Sequence, residues 1–297
     1  MLSSTRAYAT EARPPREAGF FAQSLRALRR MPAAWIGGAI VLALLIVALL
    51  GSRLAPFDPL RIVPASKLLL PSVAHPFGTD DLGRDLLSRV IAGARISLLV
   101  GVLVLAIAMT VGVGLGLVAG YWAGWADEVI MRTTDVFLSF PRLVLAVAIA
   151  ATLGPGLYNA MVAVALSWWP WYTRLVRGQL LSLREQEFVL AVVSLGAERS
   201  RILLRHLLPN VATTVVIQAS IDFGYAILAT AGLSFIGLGA QPPTPEWGAM
   251  IAQARNYMID AWWYPTFPGL AIFLAVLGFN LLGDAVRDAF DPRLRSR

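Results

Sequence analysis

The sequence predicts an all-α integral membrane protein with six transmembrane helices, and three observations carry that reading. Hydrophobic residues fill 57% of the 297 positions and charged residues only 14%, with a mean hydropathy of +0.67. Soluble globular domains sit near roughly 45–50% apolar and ~25% charged. Long uncharged runs recur along the chain, and the arginines gather between alternate runs rather than on one face.

Crossing the ~30 Å hydrocarbon core takes about 20 apolar residues as a helix. Ala33 to Gly51 is uncharged and makes span 1. Ile96 to Ala126 makes span 2, with length to spare for a helical extension. Leu143 to Thr173 is uncharged too, but Gly154, Pro155 and Gly156 cut it, which predicts a tight turn between spans 3 and 4. Span 3 is short after Arg142, so it is expected to begin nearer Asp135, with Pro141 kinking its start. Val211 to Ala240 carries one charge, Asp222, and makes span 5; Tyr264 to Gly283 makes span 6. The chain thus divides into a tail (1–30), a first transmembrane helix (31–56), an outer segment (57–95), a core of five further helices (96–285) and a second tail (286–297). The first apolar run is long enough to span, so no cleavable signal is expected.

Orientation follows from the basic residues. The first tail holds six arginines (Arg6, Arg13, Arg16, Arg26, Arg29, Arg30). The loop between spans 4 and 5 holds six more (Arg174, Arg177, Arg184, Arg199, Arg201, Arg205), and the last tail four. The 3–4 turn has none and the 5–6 loop only Arg255. Positive charge marks the cytoplasmic side, so both termini and the 4–5 loop are expected inside. The 1–2 loop departs from this pattern with Arg53, Arg61, Lys67, Arg84 and Arg89, two of which lie beside Asp80, Asp81 and Asp85.

Composition excludes several chemistries. Cysteine is absent, so there is no disulfide or thiolate site. Lys67 is the only lysine, and no glycine precedes it in the spacing that a G-x-x-x-x-G-K-[ST] phosphate loop needs, so nucleotide cradling by that route is excluded. His75 and His206 are the only histidines and are expected on opposite sides of the membrane, which argues against a histidine metal site. Gly112, Gly116, Gly120 and Gly124 recur every four residues, a stripe that lets another helix approach closely. Asp222 lies well inside span 5, where an ionised carboxylate costs ~2.5–3.5 kcal/mol on insertion scales. It reads as a proton relay, a polar pathway wall, or a partner for a neighbouring chain.

The 4–5 loop is the most informative segment. Apolar Phe188, Val189, Val192, Val193 and Leu195 recur at helical spacing, Gly196 breaks the pattern, and Ile202, Leu203, Leu207 and Leu208 then face Arg199, Arg201 and Arg205. Pro209 is expected to mark the end of this second stretch. Two short amphipathic helices around a glycine form either a plug for a groove in a partner or a pair resting on lipid headgroups.

Here the sequence resembles an ABC-transporter permease. That family's hallmark has the form E-A-A-x3-G-x9-I-x-L-P, and Ala191, Gly196, Leu208 and Pro209 stand at its spacing, while Leu190, Val192 and His206 replace the glutamate, second alanine and isoleucine. Four longer segments resemble the dipeptide/oligopeptide/nickel importers: His75 to Asp85, Arg205 to Asn210, Ala231 to Gly248 and Asn280 to Pro292. Their order resembles the second, C-type permease subunit, over about residues 20 to 295.

The resemblance implies a type I importer permease (MetI-like) fold in a bacterial or archaeal inner membrane. It implies four kinds of partner: a second homologous permease subunit, two ATP-binding subunits, an extracytoplasmic substrate-binding protein, and membrane lipid, with no nucleic acid. No cofactor is expected in this chain, ATP and Mg being held by the partner subunits, and no catalytic or metal-binding residue is assigned. Residues 184–210 are expected to couple to an ATPase through Glu187, Phe188, Ala191, Gly196, Arg199, Arg201, Arg205, Leu208 and Pro209. Gln218, Asp222 and Tyr225 are the candidate pathway residues. The outer segments 57–85 and 241–263 are expected to receive the binding protein, with Trp247, Trp262 and Trp263 interfacial and Glu246 or Arg255 within cross-linking reach. The implied function is ATP-driven import of di- or oligopeptides, with nickel or glutathione-like conjugates as the alternative. A self-contained secondary transporter would carry internal repeats and paired broken helices, and neither is visible.

Overall fold

The computed structural model describes residues 28–29, 31–122 and 124–290. Most of both expected cytoplasmic tails lies outside the described residues. Among those described, the structure is helical, with one isolated bridge between Thr79 and Asp85.

Helix α1, Pro32–Leu54, opens on a proline, whose fixed φ and missing N–H suit a first helical turn. Helix α2, Leu86–Trp122, begins ten residues before the expected span because Asp85 caps it. The Asp85 carboxylate accepts from the backbone N–H and the hydroxyl of Ser88, at 2.8 and 2.7 Å. At ~1.5 Å per residue, α2 is about 55 Å long and must tilt or protrude.

The expected span 3 is two helices rather than one kinked helix. Helix α3, Gly124–Leu138, and helix α4, Arg142–Leu153, meet at 92°. Pro141 sits at the N-cap of α4, and it disfavours helical backbone at Phe140 while offering no N–H itself. Two arginines of helix α5, Leu157–Arg184, hold α3 in place: Arg177 donates to both oxygens of Asp127 (2.6 and 2.7 Å), and Arg174 donates to Asp135. Gly154 to Gly156 forms the expected turn between α4 and α5.

Helix α6, Glu187–Ser194, is followed by Gly196 and then by one long helix α7, Arg199–Phe235. Pro209 does not end that helix. A π-helical turn at Ile202–Leu207 precedes it, and the wider turn accommodates the carbonyl that a proline ring would strike and leave unbonded. Short helix α8, Trp247–Ala254, and helix α9, Trp263–Phe290, complete the chain.

The glycine stripe packs α2 against α5. A Cβ at Gly112, Gly116 or Gly120 would lie 2.5 Å from the Tyr172 Cβ, 2.7 Å from the Val176 Cβ and 2.9 Å from the Leu180 Cβ respectively. Gly124 drops out of the stripe: nothing lies within 4 Å of its Cβ position, and its φ of +66° makes it the turn between α2 and α3. Four described helices are long and apolar enough to cross a membrane, and the bent α3–α4 pair makes a fifth if taken as one span. Helix α5 is long enough at ~42 Å but carries Asn159, the Trp168 to Tyr172 aromatic run and three arginines. It packs on α2, α4 and α7, so less of it needs to be lipid-compatible.

Candidate functional site

Three polar regions lie along the axis of the bundle. In the first, Asp80 is the centre of a buried ion network. Its carboxylate accepts from Arg84 Nε at 2.6 Å and from the backbone N–H of Leu82 and Arg84, while Arg89 Nε lies 3.5 Å away. Asp81 accepts from the Tyr264 hydroxyl (2.8 Å), and Arg84 also donates to Gln253 (3.0 Å). His75 Nδ1 pairs with Asp85 at 2.8 Å. Arg84 and Arg89, which broke the charge pattern in the sequence, are therefore partnered inside the protein and say little about orientation.

The segment after α7, expected on the outer face, departs from expectation at three residues. Glu246 is 2% exposed, because its carboxylate caps α8 by accepting from the N–H groups of Gly248 and Ala249, both at 2.9 Å. It is out of reach for cross-linking. Burial pushes its carboxyl above the usual carboxylate range, while those two N–H groups pull it back. Trp247 and Trp263 are buried and donate to Val90 and Thr79 carbonyls, so Trp262 is the only one of the three tryptophans at the surface. Arg255 is exposed, beside the apolar tip formed by Met258 and Ile259.

At mid-bundle, Asp222 is 4% exposed, and its partners come from its own chain. The Tyr172 hydroxyl donates to one carboxylate oxygen at 2.8 Å and the Gln218 amide to the other at 3.1 Å. Asp222 is thus paired within its own chain. Gln218 joins this cluster as expected; Tyr225 stands half exposed on α7 with no hydrogen bond among the described residues. Nearby, Arg142 stacks over the Trp171 ring (4.7 Å) and near the Trp168 ring (5.8 Å). Tyr172, Arg142, Trp168 and Trp171 were missed from the sequence. Three tryptophans within four positions at the end of the uncharged run to Thr173 look like an interfacial belt in the sequence, and only the packing sets them apart.

In the third, the 184–210 loop is pinned at its base and open at its tip. Arg184 donates to the Gly120 carbonyl (3.0 Å), and the Tyr121 hydroxyl donates to the Arg199 carbonyl (3.0 Å). Val189, Ile202, Leu203 and Leu207 are buried in the chain's own core. Phe188, Val193 and Leu195 point outward, Leu195 being 86% exposed, as do Leu190 and Leu204. Glu187, Ala191, Gly196, Arg199, Arg201, Arg205 and Pro209 are exposed, and Leu208 is half-buried. Gly196 has a φ of +72°, the left-handed conformation that reverses the chain between α6 and α7. Among the described residues, no group of three or more histidine or acidic side chains is placed to hold a metal.

Comparison with known proteins agrees with this layout. The profile of the binding-protein-dependent transport system inner membrane component matches residues 112–296, and that of the N-terminal transmembrane domain of oligopeptide transport permease C matches residues 19–71. The probable D,D-dipeptide transport system permease protein of Escherichia coli is 47% identical over 90% of this chain and 89% of its own length. The dipeptide transport system permease protein of Alkalihalophilus pseudofirmus is 42% identical over 92% and 90%. The glutathione transport system permease protein of Pectobacterium atrosepticum is 46% identical over 91% and 90%. In fold, 69% of the chain superposes on 97% of a chain of the inward-facing MetNI methionine ABC transporter, with a TM-score of 0.57 at 19% identity. The chain belongs to the binding-protein-dependent inner-membrane permeases of ABC importers, in the C-type branch of the dipeptide/oligopeptide group, and is a transport subunit with the MetI-like fold.

Proposed function

We propose that this chain forms half of the translocation pathway of an ATP-driven importer of short peptides or peptide conjugates, and draws its energy from a separate ATPase. The observation that carries the coupling half is the split on the 184–210 loop. One apolar set is buried in the chain's own core, and a second, Phe188, Leu190, Val193 and Leu195, is exposed on the chain's surface. An exposed apolar cluster of this kind, ringed by Arg199, Arg201 and Arg205, is what a partner groove would cover. Helix α7, with the π turn at Ile202–Leu207 inside it, runs unbroken from this tip to Asp222, so a push on α6 and Gly196 is transmitted to that residue.

The relatives' names support peptides and glutathione as the substrate class, both of which present an α-carboxylate and amide groups. The remaining partners of the reading are a second permease subunit, two ATP-binding subunits and a binding protein received on the outer face. For that last contact the exposed Arg255, Met258 and Ile259 replace Glu246 as the attachment points. Both termini and the 4–5 loop are assigned to the cytoplasm, on the arginine distribution.

The chain contains no cysteine, so single introduced cysteines report cleanly. The decisive experiment places a cysteine at Leu195 and another on the candidate ATPase, then measures cross-linking and uptake of a labelled dipeptide in membrane vesicles. Cross-linking that stops ATP-driven uptake supports the reading. ATP-driven uptake by vesicles lacking the ATPase subunits refutes it.

A further inference from the structure

We propose that Arg142 is a mid-membrane receptor for the substrate's carboxylate, with the indole N–H groups of Trp168 and Trp171 completing the site. This rests on the peptide-import reading above and adds a recognition step inside the permease.

Depth comes first. Helix α4 runs 12 residues from Arg142 to Leu153, where the turn at Gly154 begins. At ~1.5 Å per residue that is about 18 Å, so Arg142 lies near the middle of a ~30 Å core. A cation there faces a bundle interior or a water-filled cavity.

The surroundings lack acceptors. The two arginines of α5 closest in sequence to the aromatic run are each paired, Arg174 with Asp135 and Arg177 with Asp127. Arg142 has no carboxylate within 4.0 Å, and its guanidinium, with five N–H donors, makes no hydrogen bond among the described residues. It lies over Trp171 and beside Trp168 instead. The indole N–H groups of both tryptophans are buried and have no acceptor among the described residues, a state that costs about 1–3 kcal/mol for each unmade bond. The first turn of α4 adds N–H groups with no side-chain cap. Asp222 makes no ion pair with Arg142 within 4.0 Å, and each of its oxygens accepts from Tyr172 or Gln218. A cation and two idle donors with no acceptor between them suit an incoming anion that accepts several bonds, and a carboxylate binds arginine bidentately.

The site is also open. Ser139, Phe140 and Pro141, the non-helical break before α4, are all exposed. Irregular backbone at membrane depth is tolerated only against protein or a water-filled cavity. Arg142 and Trp171 are half-buried beside that break, so a peptide moving along it would meet the guanidinium first.

The test uses the complete importer, with its second permease, ATPases and binding protein, in proteoliposomes. Arg142→Gln is expected to lower the maximal rate of dipeptide uptake roughly tenfold or more, the scale of one lost charge-assisted contact, while Arg142→Lys, which keeps the charge but not the planar fork, restores only part of it. Tryptophan fluorescence of the complex without its binding protein gives the direct readout. N-acetyl-dialanine, which has a carboxylate and no amine, should shift it; dialanine amide, with the opposite pair, should not; and Arg142→Gln should abolish the response. Wild-type uptake by Arg142→Gln, or equal response to the two probes, overturns the proposal. If both Arg142 variants fail to assemble, the two probes on the wild-type complex still decide. A wild-type complex that imports no peptide defeats the peptide reading instead, and the N-acetyl-dialanine response then decides the carboxylate site alone.

Discussion

The Tyr172 hydroxyl donates to Asp222 at 2.8 Å, tying α5 to α7 in the centre of the bundle. Removing that hydroxyl leaves a buried carboxylate oxygen without its donor. Tyr172→Phe is expected to cost about 1–3 kcal/mol, read as a fall in the thermal midpoint of the purified protein. Asp222→Asn keeps an oxygen acceptor for Tyr172 and should retain uptake. Complete loss of uptake in a fully assembled Asp222→Asn variant would instead establish a proton relay.

The α2–α5 contact has no room for side chains on its glycines. Gly116→Leu meets the Val176 Cβ and the Thr173 carbonyl at 2.7 and 2.8 Å from its first carbon alone. It should prevent stable folding, seen as loss of monodisperse protein in size-exclusion chromatography. Gly114→Ala, where nothing lies within 4 Å, should be neutral or stabilising by up to about 1 kcal/mol, because alanine is the better helix former.

The loop tip separates folding from coupling. Leu195→Glu alters a side chain that is 86% exposed, so the variant should fold like the wild type yet fail to co-purify with the ATPase subunits. Normal co-purification would remove Leu195 from the docking surface.

The turn at Gly196 makes a second, conformational prediction. Its φ of +72° penalises β-branched residues most and asparagine least. Gly196→Asn should therefore keep more transport than Gly196→Val, and Gly196→Trp should assemble poorly or uncouple ATP hydrolysis from uptake. Unchanged substrate-stimulated hydrolysis and uptake in Gly196→Trp would exclude the loop from coupling.

Glu246 gives a pH dependence with a definite sign. Burial raises its carboxyl above the ordinary value of 4.5, so between that value and the raised one the folded protein holds a proton that the unfolded chain has lost. Stability should fall as pH rises through that window. Glu246→Gln cannot ionise and should flatten this slope in thermal melts, at the expense of one of the two backbone bonds that cap α8.

Much of this architecture was readable in the chain. The uncharged runs, the turn at Gly154 to Gly156 and the glycine at 196 follow from local rules, namely the length of a membrane helix and the backbone freedom of glycine. Ala191, Gly196, Leu208 and Pro209 carried the family resemblance because their spacing is local as well. The misses share one cause. Pro209 looked like a terminus and Pro141 like a kink, but whether a proline ends, bends or breaks a helix depends on whether the preceding turn can widen. Glu246 looked like a surface charge until the N–H groups of Gly248 and Ala249 turned toward it.

By itself the sequence determined an all-helical membrane protein without a phosphate loop, and a loop of two amphipathic stretches around Gly196, since each depends on residue type and spacing along one segment. Tertiary structure decided which charges matter. Arg84 and Arg89 both pair with Asp80 and Asp222 is held by Tyr172, fifty residues away, whereas Arg142 has no carboxylate within ion-pair distance among the described residues. Ion pairs and hydrogen bonds act over a few ångströms of space, and only the packing of α2, α4, α5 and α7 brings those atoms within that range or keeps them apart.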